Sequence, residues 1–256
     1  LYAKGLGKLI PRKIGDIYST FDSPVDVVLD NSVSKKDCPY FLGRYIKGIN
    51  NSSSPDWLQN RLIKIGLRPI SGLVDLTNFL TFDSARPLHA FDADRLEGDP
   101  VVRKAKNGEE LKALDGNVYK LDDTMTVIAD SKCVQAIGGI IGGENSGCSE
   151  STKNIFIESA YFDPISTAQT GRKLGLITDA RYRFERGIDP SFTKAGLEYY
   201  TKLALDLFGG EPSNLVTSGK NPHIPKKFKM DHAKVEKITG IKIKIEKQID
   251  ILSKLG

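Results

Sequence analysis

The 256-residue sequence is poor in the side chains that usually announce chemistry: 3 cysteines, 3 histidines, 2 methionines and 1 tryptophan. Cys38, Cys133 and Cys148 are odd in number and widely spaced, with no Cys-x-x-Cys pair. Neither a disulfide framework nor a zinc site is therefore expected, and a reducing cytoplasm is. No stretch approaches the roughly 18 apolar residues of a membrane span. Residues 1–15 lack the apolar core and cleavage site of a signal peptide. There is no G-x-S-x-G elbow, no phosphate loop and no dinucleotide fingerprint. Internal repeats and low-complexity blocks are also missing. The chain begins at Leu1 rather than Met and ends at Gly256 in mid-pattern, which is the appearance of an excised fragment.

What is present is an ordinary globular composition, 39% hydrophobic and 27% charged, on a chain long enough for one large domain and a smaller piece. The net charge of +5 is unevenly placed. Residues 220–256 hold 10 lysines against 4 acidic residues, whereas the rest of the chain is balanced at −1. The large domain is thus no generic polyanion binder; any diffuse attraction to nucleic acid belongs to the tail, whose lysines equally suit a solvated face.

Residues 1–36 mix Gly, Pro, Lys and short apolar runs, and are expected to be a linker from an upstream domain. Tyr40 to Ile49 has strand composition. Ser54-Pro55 is an N-cap and first-turn proline for a helix carrying Trp57, Leu58, Leu62 and Ile65, ended by Gly66. Arg68 to Asp92 is expected to be loop-rich. Short strands are expected at Val101-Val102, Val118–Leu121, Thr126–Ala129, Val134–Ile141 and Ile155–Ile157, with a hairpin turn at Leu114–Asn117. Asp163-Pro164 and Asp189-Pro190 each read as a cap plus first-turn proline. The second opens a helix with Phe192, Tyr199, Leu203 and Leu207 at helical spacing, closed by Gly209-Gly210. The tail carries helices near Asp231–Thr239 and Glu246–Leu255; Ile241 to Ile245 fits a strand equally well. The expected class is α+β: a mixed, multi-layer domain over 37–210, with sheets flanked by helices, then from 211 to 256 a linker and the start of a small helical nucleic-acid-binding-like unit.

His89 is the only histidine before residue 223. Boxed in Arg86-Pro87-Leu88-His89-Ala90-Phe91-Asp92, it is either a packed structural histidine or the centre of a polar site. Thr77-Asn78 is either a turn or cap, or a hydroxyl and amide beside that site. The four glycines of Ile137–Glu144 imply close backbone approach, to a strand or to a ligand. Glu158 follows the apolar Ile155-Phe156-Ile157 at the expected end of a strand, where a carboxylate is exposed, paired or an acceptor for a ligand hydroxyl. In Thr178–Pro190 three arginines alternate with Asp179, Glu185 and Asp189. That pattern favours an internal ion-pair lattice over phosphate contacts.

Taken in order, CPYFLGRYIKGI, RPISGLVDLTNF, RPLHAFD, LDG, VIAD, IGGIIGGENS, IFIESAYFDP and TDARYRFERGIDP closely resemble the beta subunit of bacterial-type phenylalanyl-tRNA synthetases. These motifs span Cys38 to Pro190, with weaker similarity on either side. The resemblance implies the family's editing module, which hydrolyses tyrosine wrongly attached to the phenylalanine tRNA. It carries the family's pocket onto His89, with Thr77 and Asn78 as its companions in the chemistry. Glu158 becomes the reader of the tyrosine hydroxyl, Gly142 a glycine wall, and Pro87, Thr178 and Ala180 further lining. No metal is implied. Partners implied are tRNA(Phe) and an alpha subunit in an α2β2 heterotetramer, with ATP and magnesium serving the whole enzyme at a site on the alpha subunit. One departure is Arg86, where the family usually has glutamine; that position borders the pocket. The chemistry agrees: an apolar phenylalanine site cannot strongly reject a ligand that merely adds a hydroxyl, so a second site must demand that hydroxyl. A non-catalytic tRNA-binding scaffold and a free-standing editing domain remain as alternatives.

Overall fold

The computed structural model describes residues 2–33, 36–224 and 227–255. They form two compact units, Ile14–His223 and a small one from the described residues of 1–13 and 224–256. In the larger unit the elements run β1 (Val28–Leu29), β2 (Tyr40–Lys47), α1 (Asp56–Lys64), α2 (Gly72–Asp83), β3 (His89–Asp92), β4 (Val101–Lys104), β5 (Glu110–Lys112), β6 (Val118–Lys120), β7 (Thr126–Ala129), β8 (Val134–Ile137), β9 (Ile141–Gly142), β10 (Ile155–Tyr161), α3 (Pro164–Leu174), α4 (Asp179–Phe184), α5 (Thr193–Phe208) and β11 (Glu211–Gly219). The smaller unit holds α6 (Ala233–Thr239) and α7 (Ile245–Ser253), separated at Gly240 with φ 70°. Ile241–Lys244, where a strand was as plausible, carries no regular structure. Among the described residues no helix is long and apolar enough to cross a membrane.

Layering follows from which side chains each strand turns to which face. The central sheet has the order β11-β2-β10-β3, antiparallel throughout. On one face Leu42, Ile46, Ile155 and Ile157 pack with α1, α2 and α5 through Leu58, Leu62, Leu73, Leu76, Leu197 and Phe208. On the other, Phe41, Phe91 and Phe156 meet a second sheet of order β1-β4-β7-β8-β9 through Val102, Ile128 and Ala136. A third cluster binds the β5-β6 hairpin to β7 and β8. The result is the expected mixed α+β class, with helices, two sheets and a hairpin in successive layers.

Several local expectations change. The segment expected to be loop-rich contains α2. Its pattern is hard to see because both faces are used: Leu73, Leu76 and Leu80 are buried, while Val74, Thr77, Asn78 and Thr81 line a cleft. No polar stripe is left to mark amphipathicity. Thr77 and Asn78 therefore sit mid-helix, not in a turn or cap. Ser54 does not cap α1; it hydrogen-bonds the buried Asp75 carboxylate instead. Val134–Ile141 is split into β8 and β9 by a turn with Gly139 at φ 70°. Glu211–Gly219, read as linker, is an outer strand of the central sheet. Asp163 and Asp189 do cap, accepting from the N–H groups of Ser166 and Ser191.

Candidate active site

Glu158 is not at a strand end. β10 continues three residues beyond it, and the strand that stops there is β3. In that pairing Glu158 lies directly across from His89, so the two side chains share one face of the sheet. On the other side Glu158 is paired with Gly43, whose missing Cβ leaves room for Phe156: a Cβ there would sit 2.1 Å from Cζ of that ring.

Two connected cavities open beside this pair. An inner lobe of about 80 Å³ is lined by Glu158, His89, Pro87, Gly142, Ala180 and Phe184, among others. An outer cleft of about 400 Å³ shares Pro87, His89, Gly142 and Ala180, and adds Thr77, Asn78 and Thr178. All eight residues singled out in the sequence thus line one contiguous hollow. They arrive from α2, the turn into β3, β3 itself, β9, β10 and the start of α4.

Glu158 is only 6% exposed and forms no side-chain hydrogen bond or ion pair among the described residues. Burial pushes its pKa up to about 8, opposed by the charge of Arg86. The ring of His89 stands edge-on to Phe91, with centroids 4.4 Å apart. Its Nε2 is buried and has no partner among the described residues. Burial pushes the imidazole down to about 4, so it is neutral near pH 7, with one ring nitrogen free to accept a hydrogen bond. Gly142 makes room for that ring: a Cβ there would meet Cε1 at 2.3 Å and Nε2 at 2.6 Å. The glycine-dense segment is thus approached closely by side chains, since a Cβ on Gly138 would lie 2.6 Å from the Phe162 ring, and one on Gly139 would lie 3.1 and 3.2 Å from Phe162 and Phe184.

In the outer cleft, Thr77 Oγ1 donates to the Val74 carbonyl and Thr178 Oγ1 to the Ile140 carbonyl, at 2.8 Å each. Thr178 also caps α4 by accepting from Arg181 N–H. Asn78 forms no side-chain hydrogen bond among the described residues. The cleft therefore offers a free amide and a free imidazole nitrogen, and leads to a free buried carboxylate. Cys148 lines it too, but burial pushes its thiol up to about 12, which excludes a ready thiolate. No group of three or more His, Cys, Asp or Glu among the described residues is fit to hold a metal ion.

The arginines in and just after α4 pair with neighbouring carboxylates rather than with the cavity. Arg183 pairs with Asp179, and Arg181 and Arg186 both pair with Glu185. Asp189, expected in that lattice, is a cap instead. Residues 37–209 match the family model described as the B3/4 domain. The chain belongs to the B3/4-domain family. Over its full length it is 50% identical to the phenylalanine–tRNA ligase beta subunit of Mesorhizobium japonicum and 47% identical to that of Cereibacter sphaeroides. It is 49% identical to the beta subunit of Rhodopseudomonas palustris. The chain spans 32% of the length of each of these relatives. The resemblance to phenylalanyl-tRNA synthetase beta subunits is thereby borne out over the whole chain, and the part of the chain that matches a family model is the B3/4 domain.

The sequence missed several walls of the hollow, notably Leu114, Ile140, Ile141 and Phe184. Their apolar side chains give no chemical signal, and only the packing of the hairpin, of the turn into β9 and of α4 brings them to the site.

Proposed function

We propose that this B3/4 domain hydrolyses tyrosine wrongly esterified to the phenylalanine tRNA, within a cytoplasmic α2β2 phenylalanine–tRNA ligase. The observation that carries the reading is Glu158: a buried, unpartnered carboxylate at the floor of an apolar lobe, directly across β10 and β3 from an unpartnered imidazole nitrogen. An amino-acid ring entering that lobe meets apolar walls and one acceptor. Tyrosine brings a hydroxyl to it; phenylalanine leaves it unpaired, at a cost of about 1–3 kcal/mol.

The ester and the terminal ribose then lie in the outer cleft, where Thr77, Asn78 and His89 position them and the water, with Thr178 at the wall. Water adds to the ester carbonyl carbon, the bond to the ribose oxygen breaks, and the proton ends on the ribose hydroxyl. His89 acts as a positioning acceptor. Its low pKa places any titration of the imidazole below pH 5, so a rate that is flat from pH 5.5 to 8 does not distinguish positioning from base catalysis. Loss of activity in His89→Ala with recovery in His89→Asn, which can still accept a hydrogen bond, supports positioning. Phenylalanine charging with ATP and magnesium belongs, in this reading, to the alpha subunit, and no step here uses a metal.

The test is the Glu158→Ala subunit in the intact enzyme. Clearance of tyrosylated tRNA is expected to fall roughly ten- to a hundredfold, the loss matching 1–3 kcal/mol. Clearance at the wild-type rate would sink the assignment. A wild-type enzyme that binds the tRNA and never clears tyrosine would favour the scaffold reading.

A further inference from the structure

Arg86 is 1% exposed, yet it forms no ion pair among the described residues. A buried guanidinium without a carboxylate in contact is an expensive arrangement. Its surroundings explain its place. Pairing of β3 with β10 ends at His89 and Glu158, because the chain before them contains Pro87, which has no N–H to donate. Arg86 takes over from there: Nη2 donates to the Ala160 carbonyl at 2.9 Å, and Nε and Nη2 reach Ser159 Oγ at 3.3 and 3.2 Å. Ser159 in turn donates to the Thr193 carbonyl at 2.9 Å. Nη1 reaches the Asp189 carbonyl at 3.5 Å. Gly196 of α5 lets the side chain pass, since a Cβ there would lie 2.9 Å from Arg86 Cγ. The guanidinium is thus bolted to the two residues that follow Glu158.

The charges around Glu158 are few. β3 contributes the neutral His89. The residues before β2 contribute Cys38, a buried thiol pushed up by burial and by Glu158 itself. β2 contributes Gly43, while β8, β9 and α4 present no titratable side chain to the inner lobe. Among the described residues, Arg86 is the one cation acting on Glu158. Burial pulls the guanidinium down to about 10, so it stays charged at working pH, and the acidic groups that oppose this are Glu158 first, then Asp189 and Tyr40.

Resting on the tyrosine-clearing reading above, we propose that Arg86 is a specificity-determining positioning residue: it fixes the β10 segment that carries Glu158 and supplies the positive charge that lets Glu158 ionise when it receives the tyrosine hydroxyl. An ionised acceptor binds a hydroxyl about twice as strongly as a neutral one. Arg86 touches neither ester nor water, and sets the pH range over which tyrosine is preferred to phenylalanine.

The experiment compares intact wild-type, Arg86→Gln and Arg86→Lys enzymes in deacylating tyrosylated and phenylalanylated tRNA from pH 6 to 9, with phenylalanine charging as the check that each is assembled. In the wild type the tyrosine-to-phenylalanine preference is expected to rise as Glu158 ionises. Glutamine keeps hydrogen-bond donors for Ser159 and Ala160 but removes the charge, and is expected to move that rise upward by about one pH unit or more, lowering the preference about tenfold at neutral pH. Lysine keeps the charge and most of the preference. An Arg86→Gln profile superimposable on the wild type overturns the proposal, as does an equal loss in both variants, which would mean packing alone. A wild type that clears neither ester instead overturns the tyrosine-clearing reading, and the inference falls with it.

Discussion

The two faces of the central sheet bury charge in opposite ways. On the helix-covered face, Arg44 of β2 meets Glu198 of α5 in a two-pronged pair, 2.7 and 3.2 Å, with the partners 2 and 3% exposed. The Ile17 N–H adds a further bond to Glu198. One position along β2, on the face toward the second sheet, Gly43 pairs with Glu158, and there the carboxylate and the Nε2 of its neighbour His89 lack partners among the described residues. The first arrangement ties α5 to the sheet. The second spends stability on groups that remain free for a ligand. Breaking the first should therefore be far more damaging than breaking the second. Glu198→Ala leaves Arg44 charged and alone in the core, and unfolding in denaturant is expected to register a loss of about 3–5 kcal/mol. Replacing both partners, Arg44→Met with Glu198→Leu, should recover most of it. If the single variant is as stable as the wild type, the pair is not the structural half of the contrast.

The opposite sign is expected at Glu158. Its folded pKa of about 8 lies above the ordinary 4.5. Between those values the folded protein holds a proton that the unfolded chain has released, so stability falls as pH rises from about 4.5 to about 8. Glu158→Gln removes that dependence. It is expected to raise stability at pH 7 by something on the order of 1–3 kcal/mol, with no gain below pH 4.5, while impairing tyrosine clearance. Unfolding curves at pH 4, 7 and 8.5 check it. A variant less stable than wild type at pH 7 would mean that Glu158 has a structural partner after all.

How much of this was legible in the chain depended on where the signal lay. Asp163-Pro164 announced the start of α3, and Asp189-Pro190 the short 3-10 turn Pro190–Phe192 that leads into α5, because capping is a local matter of one side chain and one turn. The strand Thr126–Ala129 was visible because all its residues are buried and apolar or β-branched. α2 was hidden because its second face lines a cavity rather than water. The strand at Glu211–Gly219, rich in Pro, Ser, Asn and Gly, forms only through long-range pairing with β2. At the site, His89, Thr77-Asn78 and Glu158 each stayed ambiguous as isolated residues. The ordered motifs made them a set, and the register between β3 and β10 gave the set its geometry. The partnerless state of Glu158 and of the His89 ring nitrogen has no sequence signature, since it depends on what the other layers fail to supply.

The smallest stability effect separates packing from chemistry most cleanly. Gly142 pairs with Ala136 on β8, and its φ lies outside the left-handed region, so alanine is compatible with its backbone. The main obstacle is the His89 ring, with Leu114 Cδ1 next at 3.1 Å. The His89 ring lines the 400 Å³ cleft and can swing aside into it, so Gly142→Ala is expected to lower stability by about 1 kcal/mol, at the low end of the usual overpacking range. Swinging aside moves Nε2 away from the ester, however, and a displacement of about 1 Å at a positioning group can lower a rate a hundredfold. Tyrosine clearance by the intact enzyme should therefore fall at least tenfold, while the denaturation midpoint barely moves. His89→Ala made in the Gly142→Ala background should add little further loss, because the ring has already left its place. Full additivity of the two losses would show that Gly142 contributes by a route independent of His89.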